Sequence, residues 1–345
     1  MPFKLPYLPS ARANTYELAD FAEILAWKQS KVSEREIISI LGRTSDNSHN
    51  DGVNDDEEET TNILPLVMNE IDRRLNACRR GYPFELDRTG TVLHYRQEDE
   101  SSIASVVYRY LLLSTRLNML TNKLHRGIDG TKVLEKLAAH VIKCYLGSRA
   151  ESIVFGTAKS GGFQEKVRFL CNSLNEGAGF RQLDRDSDIN ANDDKLDTVA
   201  WIPFSDKLSG QLIIFGQCKT GSSSDGLESQ LQPVSFAKRW FIEPFLVDPL
   251  RAFFVSESMD HKFWKSFSVS AGIVFDRCRI VDFCDNFEIA ETNLWTETAF
   301  KSFNIGDLRE TPDPKSKPRS KSKPRSKSKP RSKSSSIIKT NPKSE

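Results

Sequence analysis

The sequence predicts an α/β protein in which a mixed central sheet is flanked by helices, with a mainly helical region before the sheet and a disordered basic tail after it. Three observations carry this expectation. Apolar residues recur at helical spacing through much of residues 15 to 147, and from 148 onward helix-period and strand-period stretches alternate. The closing residues are a tandem basic repeat that cannot build a core. A chain of 345 residues with 38% hydrophobic content has room for two folded units plus appendages.

Taken in order, residues 1–44 read as a small helical segment. Leu18, Phe21, Ile24 and Leu25 stand at helical spacing, and a second run passes through Ile37, Ile38 and Leu41 toward Gly42. Residues 45–61 hold seven acids, no Lys or Arg and one apolar side chain, too little burial to offset chain ordering, so a flexible acidic linker is expected. Residues 62–148 form the helical region. It opens with an amphipathic helix over 62–80 (Leu66, Val67, Ile71, Leu75), and YPFELDRTGTVLHY then alternates around a glycine turn as a hairpin does. Helices follow over 102–122 and 131–147, the second opening on Thr131 as its cap, closing at Gly147, and carrying Leu134, Leu137, Ala138, Val141 and Tyr145 on one face.

Residues 149–300 change texture. The helix GGFQEKVRFLCNSLNEG carries a stripe of Phe163, Val167, Leu170, Cys171 and Leu174. An apolar-poor loop, the strand DTVAWIPF, a short turn and the strand QLIIFGQCKTG come next. LESQLQPVSFAKRW then suggests a short helix interrupted at Pro233, and RAFFVSES a further strand. Helix, strand, strand, helix, strand is the order of a compact α/β unit.

Chemistry concentrates at one point. In QLIIFGQCKTG the side chains alternate, so Ile213, Phe215, Gln217 and Lys219 share one face while Leu212, Ile214 and Cys218 share the other. Asp197 stands at the mouth of the preceding strand, and antiparallel pairing through the short turn brings it beside Gln217 and Lys219. Asp197, then Gln217-x-Lys219 on the next strand, preceded by the 163–176 helix and followed by a helix and strand, resembles the PD-(D/E)XK nuclease superfamily. The branch it resembles most is the Mrr-type restriction endonucleases, in which Gln replaces the second acidic ligand. The match covers about 160–257, under a third of the chain.

The resemblance implies a restriction-endonuclease-like core, and the chemistry is coherent on its own terms. Phosphodiester hydrolysis demands barrier lowering on the order of 20 kcal/mol. The Asp197 carboxylate, the Gln217 amide oxygen and the Cys218 carbonyl are hard oxygen donors suited to Mg²⁺, with Mn²⁺ as an alternative. Such an ion polarises the scissile phosphate and acidifies an attacking water, while Lys219 orients that water or offsets charge on the phosphate. The superfamily usually adds a carboxylate from the first helix. Glu165 is the candidate, although at 100° per residue it points away from the apolar stripe. Asp193 and Asp194 are further candidates. Core packing is expected of Trp201 and Trp240, and Lys238 with Arg239 is a candidate phosphate contact or a solvated helix-surface pair.

The near-neutral net charge of +2 hides an asymmetry. Residues 315–345 carry 12 bases and one acid, leaving 37 bases against 46 acids before them. KSKPRS occurs three times from Lys315 to Ser332, and its cations Lys315, Lys317, Arg319, Lys321, Lys323, Arg325, Lys327, Lys329 and Arg331 are candidate nucleic-acid contacts. The six cysteines are scattered singly and no stretch approaches 18 apolar residues, so a soluble cytoplasmic protein with reduced cysteines, no membrane partner and no zinc finger is expected. The resulting expectation is a Mg²⁺-dependent endodeoxyribonuclease acting on double-stranded DNA in restriction or antiviral defence, with a protein partner met through the helical N-terminal region. The alternative is a non-catalytic nucleic-acid-binding or complex-forming subunit that keeps this fold.

Overall fold

The alternation that opens at residue 148 becomes a five-stranded sheet in a computed structural model of the chain, described over residues 3–10, 13–46, 55–156, 161–182, 195–221, 226 and 230–303. The basic repeat with all its candidate contacts, Asp193, Asp194 and residues 47–54 lie outside the described residues. Before the sheet come α1 (Thr15–Gln29), β1 (Lys31–Ser33), α2 (Glu34–Asp46), α3 (Asp55–Cys78), β2 (Phe84–Leu86), β3 (Val92–Tyr95), α4 (Ile103–Arg116), β4 (Leu124–His125), β5 (Ile128–Asp129) and α5 (Gly130–Leu146). The sheet region contributes β6 (Glu151–Val154), α6 (Phe163–Leu174), β7 (Thr198–Ile202), β8 (Leu212–Lys219), α7 (Pro233–Trp240) and β9 (Leu250–Val255). It continues through α8 (Trp264–Ala271), β10 (Ile273–Phe275), α9 (Arg277–Asp282) and α10 (Ala290–Ser302).

Local chemistry explains where the expected boundaries moved. α2 continues through Gly42 to Asp46, and α3 begins at Asp55, inside the stretch expected as linker. Acid-rich sequence suits the positive end of a helix dipole, so low hydrophobicity was the weaker signal there. Leu66, expected on the buried face of α3, is 55% exposed, while Leu64, Val67, Met68 and Ile71 are buried. The hairpin forms as β2 and β3, with β1 added to its open side. α4 stops at Arg116 rather than 122, because Asn118 O gathers the N–H groups of Thr121 and Asn122 into a separate turn. α5 is capped by Asp129 rather than Thr131: the Asp129 carboxylate accepts both the Thr131 N–H (2.9 Å) and its hydroxyl (2.6 Å). Tyr145, expected on the buried face of α5, is 45% exposed. Pro233 starts α7 rather than interrupting it, since a first-turn N–H has no intrahelical acceptor to lose.

Strands β6 to β10 lie side by side in chain order. β6, β7 and β8 run antiparallel, and β9 and β10 continue parallel to β8 through helical crossovers. One face of the sheet presents Ala200, Ile214, Ala252, Phe254 and Phe275, which merge with α1, α3, α4, α5, α9 and α10 into one apolar core. The other presents Val199, Trp201, Ile213 and Phe215 to α6 and α7. The side-chain alternation read from β8 is therefore the division between two cores. Trp201 and Trp240 both belong to the second.

Within the first core lies a buried ionic cluster. Asp20 of α1 pairs with Arg74 of α3 (2.6 Å), Arg116 of α4 (2.7 Å) and Arg277 of α9 (2.8 Å). Glu23 pairs with Arg74 (2.8 Å) and accepts the hydroxyls of Tyr82 and Tyr108. Charge pairing thus ties four helices together where apolar contact alone would be less directional. Among the described residues, no helix is long and apolar enough to cross a membrane.

Candidate active site

The site is built where β7 begins and β8 ends. The two strands pair from Ile202↔Leu212 to Thr198↔Gly216, and one further step of the same register sets Asp197 opposite Gln217. Close approach at this point needs Gly216, because a Cβ there would stand 2.5 Å from Thr198 Cγ2. The Asp197 N–H donates to Gly216 O (3.0 Å), and the Asp197 carboxylate accepts the Cys218 N–H (2.7 Å). Its carboxylate is therefore bonded to the residue between Gln217 and Lys219. The structure brings Asp197, Gln217, Cys218 and Lys219 together, as the strand pattern leads one to expect.

Gln217 is fully buried. Its Oε1 accepts the Leu231 N–H (3.2 Å), and its Nε2 has no hydrogen-bond partner among the described residues. A main-chain N–H can only donate, so that bond fixes which end of the amide faces Leu231. Lys219, half-buried, ends β8 opposite Val255, and its carbonyl accepts the Ser256 N–H (3.3 Å).

A further pair was not found in the sequence: Lys132 and Glu135 of α5. Glu135 is 7% exposed and holds Lys132 Nζ at 2.8 and 2.9 Å. A Cβ on Gly156 would come within 3.5 Å of Glu135 and 3.3 Å of Lys132, and Phe155, its neighbour, donates its N–H to Asp197 O (2.9 Å). Cys218 feels charges from both groups. Burial pushes its thiol well above the ordinary range, Asp197 and Glu135 push it further, and Lys219 and Lys132 oppose them. A protonated thiol is a poor partner for a hard cation, so any contribution from Cys218 is through its carbonyl.

Glu165 has a different setting. It lies in the exposed first turn of α6, packed against Gly161 of its own turn, while the second core takes the stripe Phe163, Val167, Leu170, Cys171 and Leu174 as expected. Glu135 itself comes from α5, a helix that precedes β6 and packs beneath β6, β7 and β8 on the face of Ala200 and Ile214, opposite the face that Gln217 and Lys219 share. In the sequence Glu135 stands only about 20° around the helix from Ile142, on the edge of the apolar stripe, which marks its helix face but not the strands it meets. Lys238 and Arg239 are exposed in the last turn of α7, with Arg239 stacked 4.7 Å from the Trp240 ring. The β8–α7–β9 crossover carries that turn back toward the start of β9, away from Lys219.

The donor set fits a hard cation in chemical type. Asp197 supplies a carboxylate, and Gln217 Oε1 and the Cys218 carbonyl supply neutral oxygens. Among the described residues, no three His, Cys, Asp or Glu side chains form a metal-holding group, so an ion here depends on those neutral oxygens. Comparison with protein-family models, with curated proteins and with solved structures gives no match to the chain. The fold and site define an α/β protein with a mixed five-stranded sheet, at one end of which Asp197, the buried Gln217 amide and Lys219 meet where β7 begins and β8 ends.

Proposed function

We propose that this chain is a Mg²⁺-dependent endonuclease that hydrolyses phosphodiester bonds in DNA, with a role in restriction or antiviral defence. The observation that supports it is the Asp197 carboxylate bonded to the main chain between Gln217 and Lys219. When bound, a divalent ion supplies Lewis-acid polarisation of the phosphate and an acidified water. Asp197 would hold it, with the Gln217 and Cys218 oxygens beside it. Lys219 would stabilise negative charge as it grows on the phosphate. The basic tail supplies sequence-independent affinity for the polyanion. The reading draws on the resemblance of the Asp197…Gln217-x-Lys219 pattern to the PD-(D/E)XK superfamily.

A second reading is favoured by one observation. The Gln217 oxygen is already engaged by Leu231, and a non-catalytic nucleic-acid-binding subunit would have no need of it for metal. Incubation of the purified protein with plasmid DNA and Mg²⁺ tests the first reading, with Asp197→Ala and Lys219→Ala each expected to abolish cleavage while circular dichroism stays unchanged. Undiminished cleavage by both variants sinks the assignment. Mn²⁺ titration separates the readings, since only a working centre loses ion binding on Asp197→Ala.

A further inference from the structure

Away from the Asp197 centre, α3, α9 and the segment leading into α8 enclose a pocket of about 340 Å³, within the range of roughly 300–1,000 Å³ that holds small molecules. Arg73, His261, Trp264, Asp276, Cys278 and Arg279 line it. The segment His261-Lys262-Phe263-Trp264-Lys265 interleaves cations with aromatic rings; Phe263 is 64% exposed, Lys262 and Lys265 are exposed, and Trp264 is half-buried.

The pocket is held in shape before any ligand arrives. Arg73 grips Glu70 (2.7 and 2.8 Å) and the Ser258 hydroxyl (2.8 Å), and its Nη1 lies 3.1 Å from His261 Nε2. A guanidinium only donates, so His261 Nε2 is the acceptor and its Nδ1 carries the proton, leaving the ring a donor on its other side. Asp260 fixes the turn by accepting the Tyr16 hydroxyl (3.0 Å) and the Lys262 N–H (2.7 Å). Arg279 lies 4.3 Å from the Trp264 ring centroid in a cation–π contact, with Nη1 donating to Val274 O (2.9 Å). The two acids nearest the floor and wall are already compensated. Asp276 accepts the main-chain N–H groups of Arg279 and Met259, and Glu70 is held by Arg73 and Arg74. What the pocket offers a ligand is therefore an aromatic–guanidinium surface with two cationic side chains, Arg73 and Arg279, in its lining, and the exposed Lys262 and Lys265 next in sequence to its lining residues His261 and Trp264.

We infer that this pocket binds a nucleotide, with the base on the Trp264–Arg279 pair and the phosphate at these cations. A base has the π-face that stacks on indole or guanidinium, and a phosphate has the charge that the cations lack. A free mononucleotide and an unpaired nucleotide within a strand share this chemistry. The site is independent of the Asp197 centre, and its test does not involve cleavage.

Trp264 makes the test direct. Of the five tryptophans, Trp27, Trp201, Trp240 and Trp295 are each no more than 8% exposed, so a ligand stacking in this pocket reports through Trp264. The full chain is titrated with adenosine 5′-monophosphate, a single-stranded oligonucleotide and the matching duplex while tryptophan emission is recorded. Saturable quenching by the mononucleotide or the single strand is expected. It should vanish in Trp264→Phe and need at least about tenfold more ligand in Arg279→Lys, which keeps the charge and loses the planar fork. Quenching by the single strand alone identifies the source as a strand. Quenching by the mononucleotide identifies a free nucleotide as sufficient. No saturable quenching by either ligand, quenching by the duplex alone, or quenching that persists in folded Trp264→Phe overturns the inference; if either variant loses its far-UV circular dichroism, competition of the mononucleotide against a fluorescent analogue on the parent chain decides, and absence of competition overturns it.

Discussion

Asp20 offers the sharpest stability prediction because its partners can be counted. Asp20→Ala removes the carboxylate that Arg74, Arg116 and Arg277 share. Arg74 keeps Glu23 and Glu70, and Arg277 keeps Glu23 at 3.5 Å and the Ser256 carbonyl. Arg116 is left with the Phe3 carbonyl at 3.3 Å and the face of the Phe3 ring. Most of the cost therefore falls on Arg116, a buried cation without its carboxylate. Removing one partner of a buried pair costs about 3–5 kcal/mol. For a folded body of this size that lowers Tm by roughly 10 °C. Urea unfolding followed by circular dichroism should move its midpoint at constant slope. Arg116→Met in the same chain should recover part of the loss, since the double variant no longer buries the orphaned cation. A deficit below about 1 kcal/mol, or strictly additive variants, would show that these charges are solvated rather than interdependent. The sign with pH is also set. Burial opposes ionisation of Asp20, but Arg116, Arg277 and Arg74 outweigh it and hold the carboxyl well below its usual range. The stabilisation is thus present throughout the range above the ordinary carboxylate pKa and is lost only in strong acid.

Three further outcomes follow from the site and its surroundings. If α5 rather than α6 supplies the helical carboxylate, Glu135→Gln should lower Mg²⁺-dependent plasmid cleavage by on the order of 100-fold, while Glu165→Gln stays within about twofold; the reverse ranking would return the assignment to α6. Glu257 is pushed up to about 7 by burial, with Asp20 and Glu17 adding to the rise against Arg116 and Arg277. Its protonated form is favoured on folding, so the parent chain should lose stability as pH rises from about 4.5 to 7, and Glu257→Gln, equal to it in acid, should unfold at higher urea above pH 7; identical midpoints at pH 8 would refute this. Deleting residues 311–345 should weaken DNA binding and flatten its dependence on salt by about 0.9 log units for each phosphate the tail no longer neutralises. An unchanged slope would remove the tail from the interface.

The parts of the fold legible in sequence are those whose period is unambiguous. β8 is an unbroken strand of eight residues, so the fixed alternation of side chains along a strand gives its two faces, and with them the neighbourhood of Gln217 and Lys219. α6 likewise buries the five residues its spacing selects. Asp197 was legible because a short turn leaves one plausible register between β7 and β8. Glu135 was not, because its approach depends on the packing of α5 beneath three strands that come later in the chain. The superfamily resemblance instead pointed to the first helix of the matched stretch, α6, and so to Glu165. The cluster around Asp20 and Glu23 was overlooked for a related reason. Acids inside an apolar helix read as a solvated face until Arg74, Arg116 and Arg277 arrive from three other helices.

These two omissions bear on one another. The helical region reads in sequence as a module set apart from the chemistry, yet its core is continuous with the sheet face that α5 covers. The start of α5 is fixed from that side: Tyr110 of α4 donates its hydroxyl to the Gly130 carbonyl (2.7 Å), and Trp295 of α10 closes so tightly on Gly130 that a Cβ there would meet the ring at 2.5 Å. Trp295 is in turn held through its Nε1–H to the Lys123 carbonyl (2.9 Å). Glu135 lies five residues along the same helix, a rise of about 7.5 Å from that anchor. The helices before the sheet, and the buried charges that lock them, therefore fix where α5 carries Glu135 beneath the sheet.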